Sequence, residues 1–319
     1  MIAAHADWSV NPAKRWFTLA RRAGLGGWHA TAPRPVGDPA AWAAALLAEG
    51  PAVALGLDLP LGLPRAYARH RPEPDFPAFL HGLAGQSGFW HVAENLAGVS
   101  AESPFYPARG LRGMTRLEHA QALGMDGASG LCRLCDLATA ERPAGAPLFW
   151  TLGANQTGKA AISAWRDWLV PALTAGAPYR LWPFEGRLHA LLAPEQAVLA
   201  EVYPAECLRH LGLRLSGSKR DRTVRLRVLP ELREAMARLG VQPDASLAAA
   251  MADGFGADAA GEDRFDSLLG LLGLVGVLDG HRPDFIPDDP WVRRWEGWVL
   301  GQTSLPATPR PASPYPPGV

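Results

Sequence analysis

The stretch VALGLDLPLGLP, residues 53–64, runs five apolar residues straight into one carboxylate, Asp58, and then into a proline-bounded turn. An apolar run without alternation suits a central parallel strand covered on both faces. The preceding residues agree. Asp38-Pro39 is an N-cap followed by proline at the first helical position, which predicts a helix over 39–49, and Gly50-Pro51 stops it. Before that helix, IAAHADWS (residues 2–9) is a second short apolar run containing Asp7. Two strands joined through a helix pair in parallel. Ligand sites in such sheets lie at the carboxyl ends of the strands, where Asp7 and Asp58 both stand.

Further out, residues 15–21 and 28–33 carry β-branched and aromatic residues around the turn GLGG, which predicts a hairpin after the first strand. Residues 179–184 and 198–203 read as strands, and 204–211 as a helix. Residues 220–239 are helical in composition, with Pro230 dividing them. The clearest helix is 261–279, with Phe265, Leu268, Leu269, Leu272 and Val275 at helical spacing. Between 60 and about 178 short helical segments (76–83, 115–123, 159–175) lie in a Pro/Gly-rich background, which reads as an insertion. Residues 302–319 form a Pro-rich tail. The expectation is one α/β domain over 1–301, with a mixed sheet, flanking helices and a large helical insertion.

The carboxylates carry the functional reading. Glu201 lies in a predicted strand, where Glu is depleted. Asp263 and Asp266 open the late helix three residues apart and share a face. That face continues through Ser267, Gly270 and Gly273, and each glycine inside a helix costs roughly 1 kcal/mol against alanine. Gly270, Gly273 and Gly276 therefore predict a close backbone approach to the sheet, which carries Asp263 and Asp266 toward Asp7 and Asp58. Carboxylates gathered in this way must bind cations or protons. Oxygen-only ligands select Mg²⁺ or Mn²⁺, and two such ions about 4 Å apart suit phosphoryl displacement. Taken singly, the same residues have plainer readings: a helix-dipole role for Asp263 and Asp266, a turn for Asp58, a cap for Asp7.

Composition narrows the classes. The 319 residues are 48% hydrophobic and 19% charged, with 31 basic and 31 acidic residues, so no global field favours nucleic acid or membrane. Three cysteines do not make a secreted disulfide framework. The N-terminus shows no signal-peptide pattern, and the apolar run 267–278 is too short to span a bilayer. A cytoplasmic protein is expected.

DWS at Asp7, LGLDLPLGLP around Asp58, EVYPAE at Glu201, SKRDR at Lys219 and EDRFDSLLGLL at Asp263–Asp266 together resemble the domain-of-unknown-function family of predicted RNase H-like nucleases. The resemblance covers residues 1–64 and 156–279. It implies a ribonuclease-H-like sheet, with an N-terminal hairpin antiparallel to the first strand and parallel strands beyond. It also implies an acidic active site carried here onto Asp7, Asp58, Glu201 and Asp266, with Asp263 beside them and Lys219 holding a substrate phosphate.

Other motifs keep alternatives open. From Gly153 to Ala160, GANQTGKA matches a phosphate-binding loop except that Ala160 stands where Ser or Thr holds Mg²⁺. With Gln156 and Lys159 it keeps an ATP-dependent phosphotransferase or ATPase in view, against a plain helix start. A non-catalytic binding protein of the same fold is the other alternative. From Arg209 to Arg227 seven basic residues face one acid, a candidate nucleic-acid patch or a solvated helix face. The neutral net charge also admits a small phosphorylated substrate. Cys132 and Cys135 form a lone C-x-x-C that holds zinc only if His119 and another ligand complete it. Trp90, Trp150, Trp165, Trp168, Trp182, Trp291 and Trp295 read as core anchors rather than base-stacking platforms.

Overall fold

β1 (Ile2–Asp7) and β5 (Val53–Leu57) pair in parallel, with Ala6 opposite Leu57. The helix Pro39–Leu47 joins them. Its Asp38 side chain accepts from the Ala41 N–H at 2.7 Å, so cap and proline start the helix where the sequence puts them. β2 (Trp16–Arg21) and β3 (Trp28–Ala30) form the expected antiparallel hairpin beside β1. β6 (Tyr179–Leu181) and β7 (Ala197–Glu201) extend the parallel side, with Glu201 opposite Leu57. Two strands have no sequence forewarning: β4 (Arg34–Pro35) on β2, and β8 (Val241–Pro243), parallel to β3. Each is too short to show a period. The sheet order is β6-β7-β5-β1-β2-β3-β8, a mixed α/β sheet as expected.

This computed structural model describes residues 1–22, 24, 26–110, 113–152 and 157–306. The chain divides into two compact units. The first, residues 1–59, 177–285 and 299–302, holds the whole sheet. Within it the helix Gly261–Leu278 packs on β1, β2 and β5 and against the helix Pro204–His210. The glycines account for that approach unequally. A Cβ on Gly270 would lie 2.2 Å from the His5 ring, and one on Gly273 2.1 Å from the Cys207 sulfur. A Cβ on Gly276 meets only Leu239, at 3.8 Å. The close approach is therefore to the sheet at Gly270 and to the neighbouring helix at Gly273, and Gly276 is not needed for it. The expected division near Pro230 appears as two helices, Arg222–Arg227 and Leu229–Arg238, broken at Val228. The helix Ala245–Ala252, capped by Asp244, is an addition.

The second unit comprises 60–176, 286–298 and the residues from 303 on. Its helices include Phe76–Gly82, capped by Asp75, and Arg116–Ala122, opened by a Thr115–Glu118 capping box. Thr157–Ala164 passes through a π-helical turn into Val170–Thr174. Phe76, Phe79, Phe89, Phe105, Phe149 and Trp165 build an aromatic core. Buried charges are paired: Arg65 with Glu296 at 2.7 Å and Asp289 at 2.6 Å, Arg133 with Asp136 at 3.0 Å. Gln302, expected to open an unpacked tail, is buried in the first unit and donates its N–H to the Val299 carbonyl at 3.1 Å. Pro306 bridges to Thr139, and residues 307–319 lie outside those described. Among the described residues no helix is long and apolar enough to cross a membrane.

Candidate functional site

Asp7 is the last residue of β1, and Asp58 directly follows β5. The Asp58 N–H donates to the Ala6 carbonyl at 3.0 Å, so the ladder continues one step and sets the two acids side by side. Asp7 leaves the sheet on the same face as His5, two residues earlier. That face is covered by the helix Gly261–Leu278, whose Gly270 lies on the His5 ring. Asp266, about one turn before Gly270, arrives over Asp7 by the same packing. Asp7 and Asp266 are 8% and 6% exposed.

The electrostatics report the crowding. Burial, then the charges of Asp266, Asp58 and Asp263, push the Asp7 carboxyl well above the usual carboxylate range, against the opposing pull of Lys219. Asp58 is pushed up to about 7 by burial and by Asp266 and Glu201. Burial raises Asp266 to about 6, although the Lys219 ammonium beside it works the other way. Asp263 is raised too, first by burial and then by Glu262, while Lys14, Lys219 and Arg264 oppose the rise. Buried carboxylates that raise one another need protons or cations to coexist.

One cation is supplied by the chain. Lys219 lies just before the helix Arg222–Arg227, whose cap Asp221 accepts from the Thr223 N–H at 2.8 Å. The Lys219 Nζ donates to Asp266 Oδ2 and stands 3.7 Å from Glu262 Oε1. Asp266 Oδ1 and Asp263 Oδ2 are buried with no hydrogen-bond partner. Among the described residues, no group of three or more His, Cys, Asp or Glu side chains is arranged so as to hold a metal ion as it stands.

Glu201 ends β7 and is fully buried. It pairs with Leu57, which pairs with Ala6, so alternation turns Glu201 to the face opposite Asp7. It acts on Asp58 through its charge. The structure thus brings Asp7, Asp58, Asp266, Asp263 and Lys219 together and sets Glu201 behind them.

Three contributors were not foreseen. His5 is buried and neutral, its ordinary pKa lowered to about 4 by burial, with Nε2 3.2 Å from the Val202 carbonyl. It supports the helix rather than the chemistry; its alternation with Asp7 was the available signal. Glu262, next to Asp263, receives Arg220 at 3.0 Å as well as Lys219. Arg225 is buried and donates to four backbone carbonyls: Gly254 at 2.8 Å, Lys219 at 2.6 Å, Arg220 at 2.9 Å and Gly256 at 2.6 Å. Nothing distinguished it from its basic neighbours in sequence.

The basic stretch is largely engaged inside the chain. Arg209 pairs with Glu206, Lys219 with Asp266, Arg220 with Glu262 and Arg222 with Asp253, while Arg225 binds carbonyls. Arg214 and Arg227 are exposed. His119 is a core residue, with Nε2 2.8 Å from the Pro104 carbonyl and its ring against Tyr106 and Trp150. Cys132 and Cys135 are buried, and no disulfide joins them. Of the stretch from Gly153 to Ala160, residues 153–156, including Gln156, lie outside those described; Lys159 is in the helix Thr157–Ala164. No protein-family model, curated protein or solved structure matches the chain.

Proposed function

We propose that this protein is a divalent-metal-dependent phosphodiester hydrolase with a ribonuclease-H-like arrangement of its sheet and acids. The observation that carries the reading is the meeting of Asp7, Asp58 and Asp266 at the carboxyl ends of two parallel strands, with two buried carboxylate oxygens left without partners. The donor set is all oxygen, which fits Mg²⁺ or Mn²⁺. Asp7, which feels the charges of Asp266, Asp58 and Asp263, is the residue that would be shared; Asp58 and Asp266 would each hold one side, with Asp263 beside them. Ions held there would neutralise phosphate charge and supply a water nucleophile. Glu201, on the other face, biases Asp58 through its charge, and Lys219 contributes positive charge for a phosphate. The neighbouring helix and sheet shield Asp7 and Asp266 from water, which strengthens the charge interactions between them.

The experiment is calorimetric titration of the full chain with Mn²⁺, wild type against Asp7→Asn, followed by assay of single- and double-stranded DNA, RNA and bis(p-nitrophenyl) phosphate. Saturable binding abolished in Asp7→Asn, with Mn²⁺-dependent cleavage of a diester, supports the reading. Equal saturable binding by both proteins overturns it, and so does absence of binding in both that persists when Lys219 is replaced.

A further inference from the structure

We infer that Lys219 is a built-in counter-cation of the acidic cluster: its ammonium holds Asp266 until a divalent cation takes that carboxylate, and it then moves to Glu262. This rests on the metal-site reading above and specifies how that site is controlled.

Three observations carry it. First, the ammonium already stands between two acids. It is bonded to Asp266 Oδ2 and lies 3.7 Å from Glu262 Oε1. Arg220 takes the other Glu262 oxygen, Oε2, at 3.0 Å, which leaves Oε1 facing Lys219. The second position is therefore formed before it is needed.

Second, the backbone under Lys219 is fixed, and its side chain is long enough to turn without it. The Arg225 guanidinium holds the Lys219 and Arg220 carbonyls with one arm and the Gly254 and Gly256 carbonyls with its other nitrogens. Arg264 holds the intervening Phe255 carbonyl at 2.9 Å. The lysine stem is a flexible four-carbon chain, and its side chain is 31% exposed. A swing of the ammonium from Asp266 to Glu262 thus needs no movement of the loop.

Third, the geometry around Asp266 is half used. Oδ2 meets the ammonium, and Oδ1 is buried without a partner. The acids do not enclose an ion as they stand, and the ammonium occupies Asp266, the more buried of the two helix aspartates. At equal distance a doubly charged cation gains twice the Coulomb attraction of the ammonium to the same carboxylates. That added attraction is the driving force for exchange, set against the larger dehydration cost of the divalent ion, and the ammonium keeps the cluster together when no such ion is present.

Sequence composition makes the test clean, because the chain has three lysines, Lys14, Lys159 and Lys219. The full-length protein is acetylated briefly with an amine-reactive ester, with and without saturating Mn²⁺, and each lysine is quantified by mass spectrometry. Lys219 labelling, relative to Lys159, is expected to rise several-fold with Mn²⁺. Lys219→Met is expected to bind Mn²⁺ several-fold more tightly than wild type, and Lys219→Gln serves if that variant does not fold. Mn²⁺ binding with no change in Lys219 labelling and no tightening in the variants overturns the inference and leaves the metal site standing. Binding that appears only in the variants supports the competition. Absence of binding in wild type and variants alike removes the metal site, and the inference with it.

Discussion

Asp7 and Glu201 end strands on either side of β5, yet their side chains leave the sheet on opposite faces. Leu57 pairs with Ala6 on one side and with Glu201 on the other, and that register fixes the separation. Four acids that look equivalent in sequence therefore divide into three that converge and one that stands behind. Glu201→Gln is expected to leave Mn²⁺ affinity within a few-fold of wild type, whereas Asp266→Asn loses saturable binding. Calorimetry on the two variants side by side checks this. Equal losses would mean that Glu201 reaches the cluster.

Asp58 gives a pH signature with a definite sign. Its folded pKa is about 7 and that of Asp266 about 6, against 3.8 for a solvated aspartate. Between pH 4 and 7 the folded chain keeps protons that the unfolded chain has released. The stability associated with these groups is therefore present at low pH and is lost as pH rises through that window. His5, His119 and His210, lowered to about 4, act in the opposite sense from about pH 4 to 6.5. Comparison of Asp58→Asn with wild type cancels the histidines. The variant is expected to gain up to about 4 kcal/mol relative to wild type between pH 4 and pH 8 without divalent ions. Urea unfolding across that range is the measurement. A difference that stays flat with pH would mean the carboxyl is ionised at little cost.

The three glycines of the late helix make a graded set. Gly270→Ala puts a carbon 2.2 Å from a buried imidazole, and Gly273→Ala puts one 2.1 Å from a buried sulfur. Neither neighbour is the free end of a long side chain, so each substitution is expected to cost on the order of 2–3 kcal/mol through overpacking. Gly276→Ala meets only ordinary contact at 3.8 Å and should gain up to about 1 kcal/mol from helix propensity. Thermal melts of the three variants, ranked, decide the matter.

The parts of the fold legible in sequence were those with long local signals. The run 53–57, the Asp38-Pro39 start and the glycine-striped helix each fix an element, and their order fixes the parallel pairing of β1 with β5. β4 and β8 were not legible, because two or three residues carry no period and their pairing is decided by partners far along the chain. The acids were legible as strand-end carboxylates. The face of Glu201 was not, since a register shift of one residue reverses it and register is a tertiary property. Arg225 looked like one more exposed base. Its role depends on carbonyls from residues 219–220 and 254–256, which only folding brings together.

Arg225 is therefore the place where loss of a charge should act through the backbone. Its guanidinium serves four carbonyls with a fixed fork, and a Cβ on Gly261 would stand 2.3 Å from Nη2, so the start of the late helix is built around it. An ammonium cannot reproduce that geometry. Arg225→Lys is expected to destabilise the protein by on the order of 3 kcal/mol, because buried carbonyls lose charged donors. The loss should be local before it is global. Hydrogen exchange at amides near 218–221 and 254–256 should accelerate many-fold under native conditions, while amides of β1 and β5 keep their protection. Uniform acceleration across the sheet would show that Arg225 supports the whole fold rather than the loop that presents Lys219.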